Sequence, residues 1–321
     1  MNLSTSSRRL PRRPPAHRQA GLTLVELMVA LVLGMLIAAA AVAALIVARQ
    51  GFNSVDENSQ LRENARFAAS LIQRIASLSG FENAAEGFIS TDKTPLELRG
   101  WDNALLDTDT LPSTQVNDSR DADCTVTDTS CVNGSDILRV AYMGVSRPAG
   151  TATADGSIIN CAGVPEAERG TPAYSVFHVV RGANGEPVLA CTYQEAGIGG
   201  AWRTQAIAQG VEAFQVLYGV DTLNAGGVAG EDSVADVYLR AADVDAAGQW
   251  SRVRTLRIGM VLRGPAGSAP DKAGSAETIP VLGPGFSDAA DVGSDLTVAA
   301  DARMRHRLVF TVHLRNAQFA P

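Results

Sequence analysis

The chain has 321 residues, 46% of them apolar and 19% charged, which suffices for a membrane stem plus one or two globular units and excludes a chain too polar to bury a core. Residues 1–21 carry Arg8, Arg9, Arg12, Arg13 and Arg18 and no acid, so a leader of +5 precedes a body of −12 within a net charge of −7. This split fits a basic segment kept in the cytoplasm and an acidic body exported beyond the membrane. Such a body lacks the clustered positive surface that phosphate binding needs, which argues against direct nucleic-acid binding.

The first element is an apolar stretch from Gly21 to Ala48 interrupted by a single charge, Glu26. A carboxylate at mid-bilayer costs roughly 2.5–3.5 kcal/mol on insertion scales, so it is a functional candidate by default. Three readings compete here. A secretory signal has an apolar region of about 7–15 residues; this one is far longer, although Ala41-Val42-Ala43 satisfies the small-residue rule for cleavage. A plain anchor needs about 20 apolar residues and fits the length, but it explains Glu26 only as a side chain reaching back to the interface. The third reading rests on Gly21-Leu22-Thr23-Leu24-Val25-Glu26.

That stretch resembles the prepilin processing motif of type IV pilins and type II secretion pseudopilins. The resemblance implies that prepilin peptidase cuts after Gly21 and that Leu22 becomes the N-methylated first residue. It also assigns Glu26, with Thr23, to subunit assembly. Leu22 departs from the more usual phenylalanine or methionine. The electrostatics stand without the family. Cleavage exposes an amine with a pKa near 7.7–8.0 beside a low-dielectric region. Glu26, one helical turn along, can neutralise that amine on its own chain or on a staggered neighbour. Losing either partner of a buried pair costs roughly 3–5 kcal/mol.

Beyond Ala48 the pattern becomes amphipathic: Phe52, Val55, Phe67, Ala68, Leu71, Ile72, Ile75 and Leu78 recur at three- and four-residue intervals between charged residues. The spacing predicts one helix from about Leu22 to Ser79, about 85 Å long, stopping at Gly80, with Gly34 and Gly51 as weak points. Residues 81–135 read as an irregular loop rich in Asp, Asn, Thr and Ser.

Strand signals follow at Ile137–Met143, Ala173–Arg181, Pro187–Tyr193, Val211–Tyr218 and Val237–Arg240, with a hairpin turn at Ala183-Asn184-Gly185. Leu256, Ile258, Met260 and Leu262 alternate with Arg257 and Arg263; Met304, His306, Leu308, Phe310, Val312 and Leu314 alternate with Arg305, Arg307, Thr311, His313 and Arg315. A period of two with one apolar face describes an antiparallel sheet covered on one side, and the helix stripe is the obvious cover. Residues 264–300, rich in Pro, Gly and Ala, read as a mobile or partner-contacting loop. The expected fold class is α+β, a pilin-like ladle. The leader is 1–21, the membrane half of the helix 22–48, the amphipathic half 49–80 and the exported head 81–321.

All four cysteines, Cys124, Cys131, Cys161 and Cys191, fall in the exported part, and an even count there reads as two disulfides. Three pairings are open; Cys124–Cys131 with Cys161–Cys191 is favoured because each closes a local segment. Neither C-x-x-C nor a nearby histidine supports zinc. Asp118, Asp121, Asp123 and Asp128 lack the glycine and closing glutamate of a calcium loop. His306 and His313 fall on opposite faces of one strand, and His17 leaves with the leader. No P-loop or nucleophile elbow appears, so no enzyme, cofactor or metal is expected.

Three further segments resemble PilW-type minor pilins: Gly210–Asp221, Trp250–Ile258 and Arg305–Asn316. The absence of a cysteine after Cys191 and the large head favour a minor subunit over a major one. The resemblance implies an inner-membrane protein with its head in the periplasm, later at the pilus tip, that primes or caps pilus assembly. Implied partners are prepilin peptidase, other minor pilins, the major pilin, the inner-membrane assembly platform and a tip adhesin. A type II pseudopilin shares the motif, and a membrane-tethered periplasmic domain is the alternative from another class.

Overall fold

The computed structural model describes residues 21–82, 98–106, 132–168, 170–195, 200–223, 226–269, 276–298 and 300–316. Two compact units, Met1–Phe52 and Asn53–Pro321, divide the chain. Helix α1, Leu24–Ala76, runs through the boundary as one 53-residue element with no proline to break it. Gly34 and Gly51 both lie inside it without interrupting it. After Ala76 the last turn tightens, with the N–H of Ser79 on the carbonyl of Ala76, and Gly80 takes a left-handed φ of 71°.

In the first unit every described helix side chain is exposed. Leu24–Arg49, with a mean hydropathy of 2.8, is long and apolar enough to cross a membrane. A helix that is apolar all round is stable only inside lipid or among other helices.

In the second unit α1 is amphipathic, but the buried line is not quite the expected one. Leu61, Ala65, Ala68, Ile72 and Ile75 are buried at intervals of three and four, flanked by Ala69, Leu71 and Ala76. Phe52, Val55 and Phe67, expected in the same stripe, are exposed instead. Each residue advances 100°, so Phe67 lies a quarter-turn from Ala68 and falls off the buried line. Small alanines at the contact let the sheets approach the helix closely.

Five strands form one antiparallel sheet in chain order: β1 (Arg99–Trp101), β2 (Ile137–Tyr142), β3 (Ala173–Arg181), β4 (Pro187–Gln194) and β5 (Trp202–Gln209). The Asn184-Gly185 hairpin joins β3 to β4 as expected, with Gly185 at φ 76° and the N–H of Gly182 on the carbonyl of Glu186. A second sheet runs β11 (Arg305–His313), β8 (Val253–Arg263), β6 (Val211–Val220), β7 (Val237–Leu239), also antiparallel. Side chains of α1 and of both sheets share one hydrophobic cluster, whose large members include Phe177, Phe214, Tyr218 and Trp250. A short helix, α2 (Ala241–Ala247), follows β7.

The expected one-sided covering of the sheet is not what the structure shows. All ten residues of β6 are buried, and residues 276–298 lie across the outer face of the second sheet. This insertion carries its own hairpin, β9 (Glu277–Pro280) with β10 (Asp295–Val298). Ile279, Val281, Leu296 and Val298 pack there on Ala213 and Val261. Gly259 makes the close approach possible: a side chain there would meet the carbonyl oxygen of Val281 at 2.4 Å. Arg257 donates to the carbonyl of Leu282 and stacks 4.1 Å over the ring of Phe286. The described part of the insertion is therefore a strap built into the sheet, not a free loop.

Arginines expected on a solvent face are drawn into an ion network at one end of this sheet. Arg305 pairs with Glu212 and Asp301, Arg263 with Glu186 and Glu212, and Arg303 with Glu186. The Glu212 side chain is only 3% exposed and Arg305 10%, so neither charge could be accommodated without the other.

Candidate functional site

Gly21, Leu22 and Thr23 precede α1 without regular structure. Leu22 is 71% exposed, and nothing lies within 4 Å of where a Gly21 side chain would stand. Among the described residues nothing crowds the Gly21–Leu22 bond.

The helix begins where the local chemistry says it should. The N–H of Glu26 donates to Thr23 Oγ1 at 3.2 Å, and the N–H of Leu27 donates to the Thr23 carbonyl at 3.1 Å. Thr23 is therefore the N-cap, and Thr23-x-x-Glu26 is the sequence of a capping box. The sequence reading assigned Thr23 to subunit contacts; the structure engages its hydroxyl within its own helix. Glu26 is exposed in the first turn, where the helix dipole favours a carboxylate. A cut before Leu22 would place a new ammonium one turn from that carboxylate, at the edge of the apolar segment.

In the head the structure bonds Cys161 to Cys191, with Cα atoms 5.8 Å apart, tying the loop after β2 to the middle of β4. Cys124 and Cys131 lie outside the described residues, as do His17 and the four aspartates of the acidic segment 118–128. His178 is buried on β3, its Nε2 2.8 Å from Thr192 Oγ1. Burial lowers its pKa to about 4, so the ring is neutral and structural. His306 and His313 lie on β11, seven residues apart and so on opposite faces.

The sequence reading missed three carboxylates that meet beneath α2. Asp136 is fully buried and accepts N–H bonds from Val216 at 2.7 Å and Asn103 at 3.0 Å. Burial, then the charges of Asp102 and Asp291, push its pKa well above the usual carboxylate range. Asp102 caps α2 by accepting from Ala241 and Ala242, both at 2.9 Å. Asp291, on the strap, is raised to about 6 by burial and then by Asp102. Only three-dimensional proximity signals this group, since its members are 34 and 155 residues apart in sequence. Among the described residues no group of three histidine, cysteine or acidic side chains could hold a metal ion. A groove of about 440 Å³ is lined by residues including Glu57, Gln60 and Leu61 of α1, Glu186, Pro265 and Arg303. Its arginines are already paired with Glu186.

Comparison with known proteins locates both halves of this description. Residues 176–316 match the family Type IV Pilus-assembly protein W, PilW. Residues 16–42 match the prokaryotic N-terminal methylation motif, which spans the Gly21–Leu22 bond and Glu26. A solved structure of a type IV-like pilin from Thermus thermophilus is 14% identical, aligned over 81% of this chain and 98% of its own, with a TM-score of 0.38. No curated protein matches the chain.

Proposed function

We propose that this chain is a type IV pilin of the PilW type in a minor-subunit role, cut between Gly21 and Leu22 by prepilin peptidase, N-methylated on Leu22, and used to prime or cap a pilus; the matches to the PilW family and to the methylation motif support the reading. The observation that carries the reading is the start of α1. An exposed glycine–leucine bond stands one residue outside a capped helix, and the only acid of the apolar segment lies in that helix's first turn. As in pilins generally, the role is structural.

Before processing, the basic leader stays on the cytoplasmic side and the acidic head lies in the periplasm. After it, the amine of Leu22 and the carboxylate of Glu26 of a neighbouring stem pair in a low-dielectric bundle and fix the axial stagger of subunits. The partners are the other minor pilins, the major pilin, the assembly platform of the inner membrane and a tip adhesin. Mass spectrometry of the mature protein tests this directly. N-methyl-Leu22 is expected; an intact leader or a cut near Ala43 would refute the reading. Deleting the chain should abolish piliation while leaving protein secretion intact, and the opposite outcome would assign it to type II secretion.

A further inference from the structure

The second sheet stops one strand short of covering its own core. β6 is buried throughout and β8 nearly so, yet in β11 only Val312 is buried. Leu308 and Phe310 reach the main hydrophobic cluster but stay partly open.

The backbone shows which side is unfinished. The N–H of Leu314 donates to the carbonyl of Arg254, and the N–H of Gly264 to the carbonyl of Met304. Even-numbered residues of β11 therefore turn their peptide groups toward β8. By the alternation of antiparallel pairing, Arg305, Arg307, Val309, Thr311 and His313 turn theirs outward. Among the described residues no backbone group bonds to them.

Edges left open are normally protected. β1 and β7 are three residues long, and β5 carries a register shift and mostly polar, exposed side chains. β11 is neither short nor broken in register, nine residues pairing without a shift; of these devices it has only exposed polar side chains, Arg307, Thr311 and His313. Arg307 and Arg315 are exposed; Arg307 donates to the carbonyl of Pro280 at 3.1 Å, and neither arginine forms an ion pair among the described residues. A cationic margin beside an open edge is notable on a body that sums to −12.

We propose that the outer edge of β11 receives an extended segment of a different pilin subunit, with acidic residues facing Arg307 and Arg315 and apolar residues alternating with them to cover Leu308 and Phe310. The proposal rests on the filament-subunit reading above. A second copy of this chain fits poorly: antiparallel self-pairing about Val309 sets Arg305 against His313, and β11 contains no acid.

The test uses the full chain in piliated cells, with a photo-reactive amino acid at position 311. Illumination should give an adduct whose cross-linked peptide, identified by mass spectrometry, comes from another pilin and carries acids at alternate positions. Val309→Pro should reduce that adduct by about tenfold or more without lowering thermal stability, because its N–H makes no bond to β8. Arg307→Glu with Arg315→Glu should produce the same loss on an unaltered backbone. Suppose the chain carries N-methyl-Leu22 and co-purifies with pili. Adducts found only within the chain or to a second copy, or adducts that survive these substitutions, then overturn the edge proposal and leave the subunit reading standing. An unprocessed N-terminus overturns both.

Discussion

Replacing both Cys161 and Cys191 by alanine removes the one cross-link seen in the described head, and its effect can be worked out in advance. The bond joins positions 30 residues apart. Loop-closure entropy for a ring of that size stabilises the folded state by about 4 kcal/mol. The enclosed loop keeps its own bonds when the link is cut: Asn160 Oδ1 accepts from Ala162 and Val164, and Asn160 Nδ2 donates to Glu166. The loss should therefore act mainly through the unfolded chain and leave the native loop in place. For a unit of this size, that corresponds to a fall in Tm of roughly 8–15 °C. Thermal unfolding of the full chain in detergent, followed by the fluorescence of buried Trp250 against Tyr218, measures it. A fall of less than about 1 kcal/mol would show that the unfolded chain is already restricted without the link and that the chain-entropy argument fails here.

Other expectations follow from the same contacts. Thr23→Ala should weaken the first turn of α1 by about 1 kcal/mol, visible as faster amide exchange at Glu26 in detergent, with unchanged exchange refuting the cap. Glu212→Ala strands Arg305 and Arg263 without a partner they share, and should cost roughly 3–5 kcal/mol by denaturant titration. Burial holds His178 near pKa 4 when folded against 6.5 when unfolded, so the unfolded state binds more protons between those values. Stability from this residue is fully present above pH 6.5 and is lost as pH falls toward 4; His178→Gln should flatten that part of the profile, and parallel profiles would contradict it. Gly259→Val should lift the strap from the sheet, opening residues 276–298 to limited proteolysis while the rest of the head resists.

The elements with strong periodicity were legible in the sequence. The long helix, the β3–β4 hairpin and the alternation of β8 and β11 all stand where the pattern put them. What escaped depended on neighbours. β5 reads as polar because it is an edge strand with exposed side chains, so no apolar alternation marks it. β9 and β10 are four residues each, too short for a period to show amid proline and glycine. Arg305 alternates as a solvent residue should, and only its pairing with Asp301 and with the buried Glu212 of β6, two strands away, explains its burial. At the start of α1 the two residues differ. Glu26 stood out by charge alone, whereas Thr23 was assigned to subunit assembly and its capping bond to the Glu26 N–H was missed.

The contact at Gly259 has an evolutionary corollary. The strap is seated there by main chain lying on main chain, so the outward side chains of Thr278, Asp295 and Thr297 carry little of the attachment. Those three positions can drift, or accept an epitope tag, while the glycine beneath them cannot.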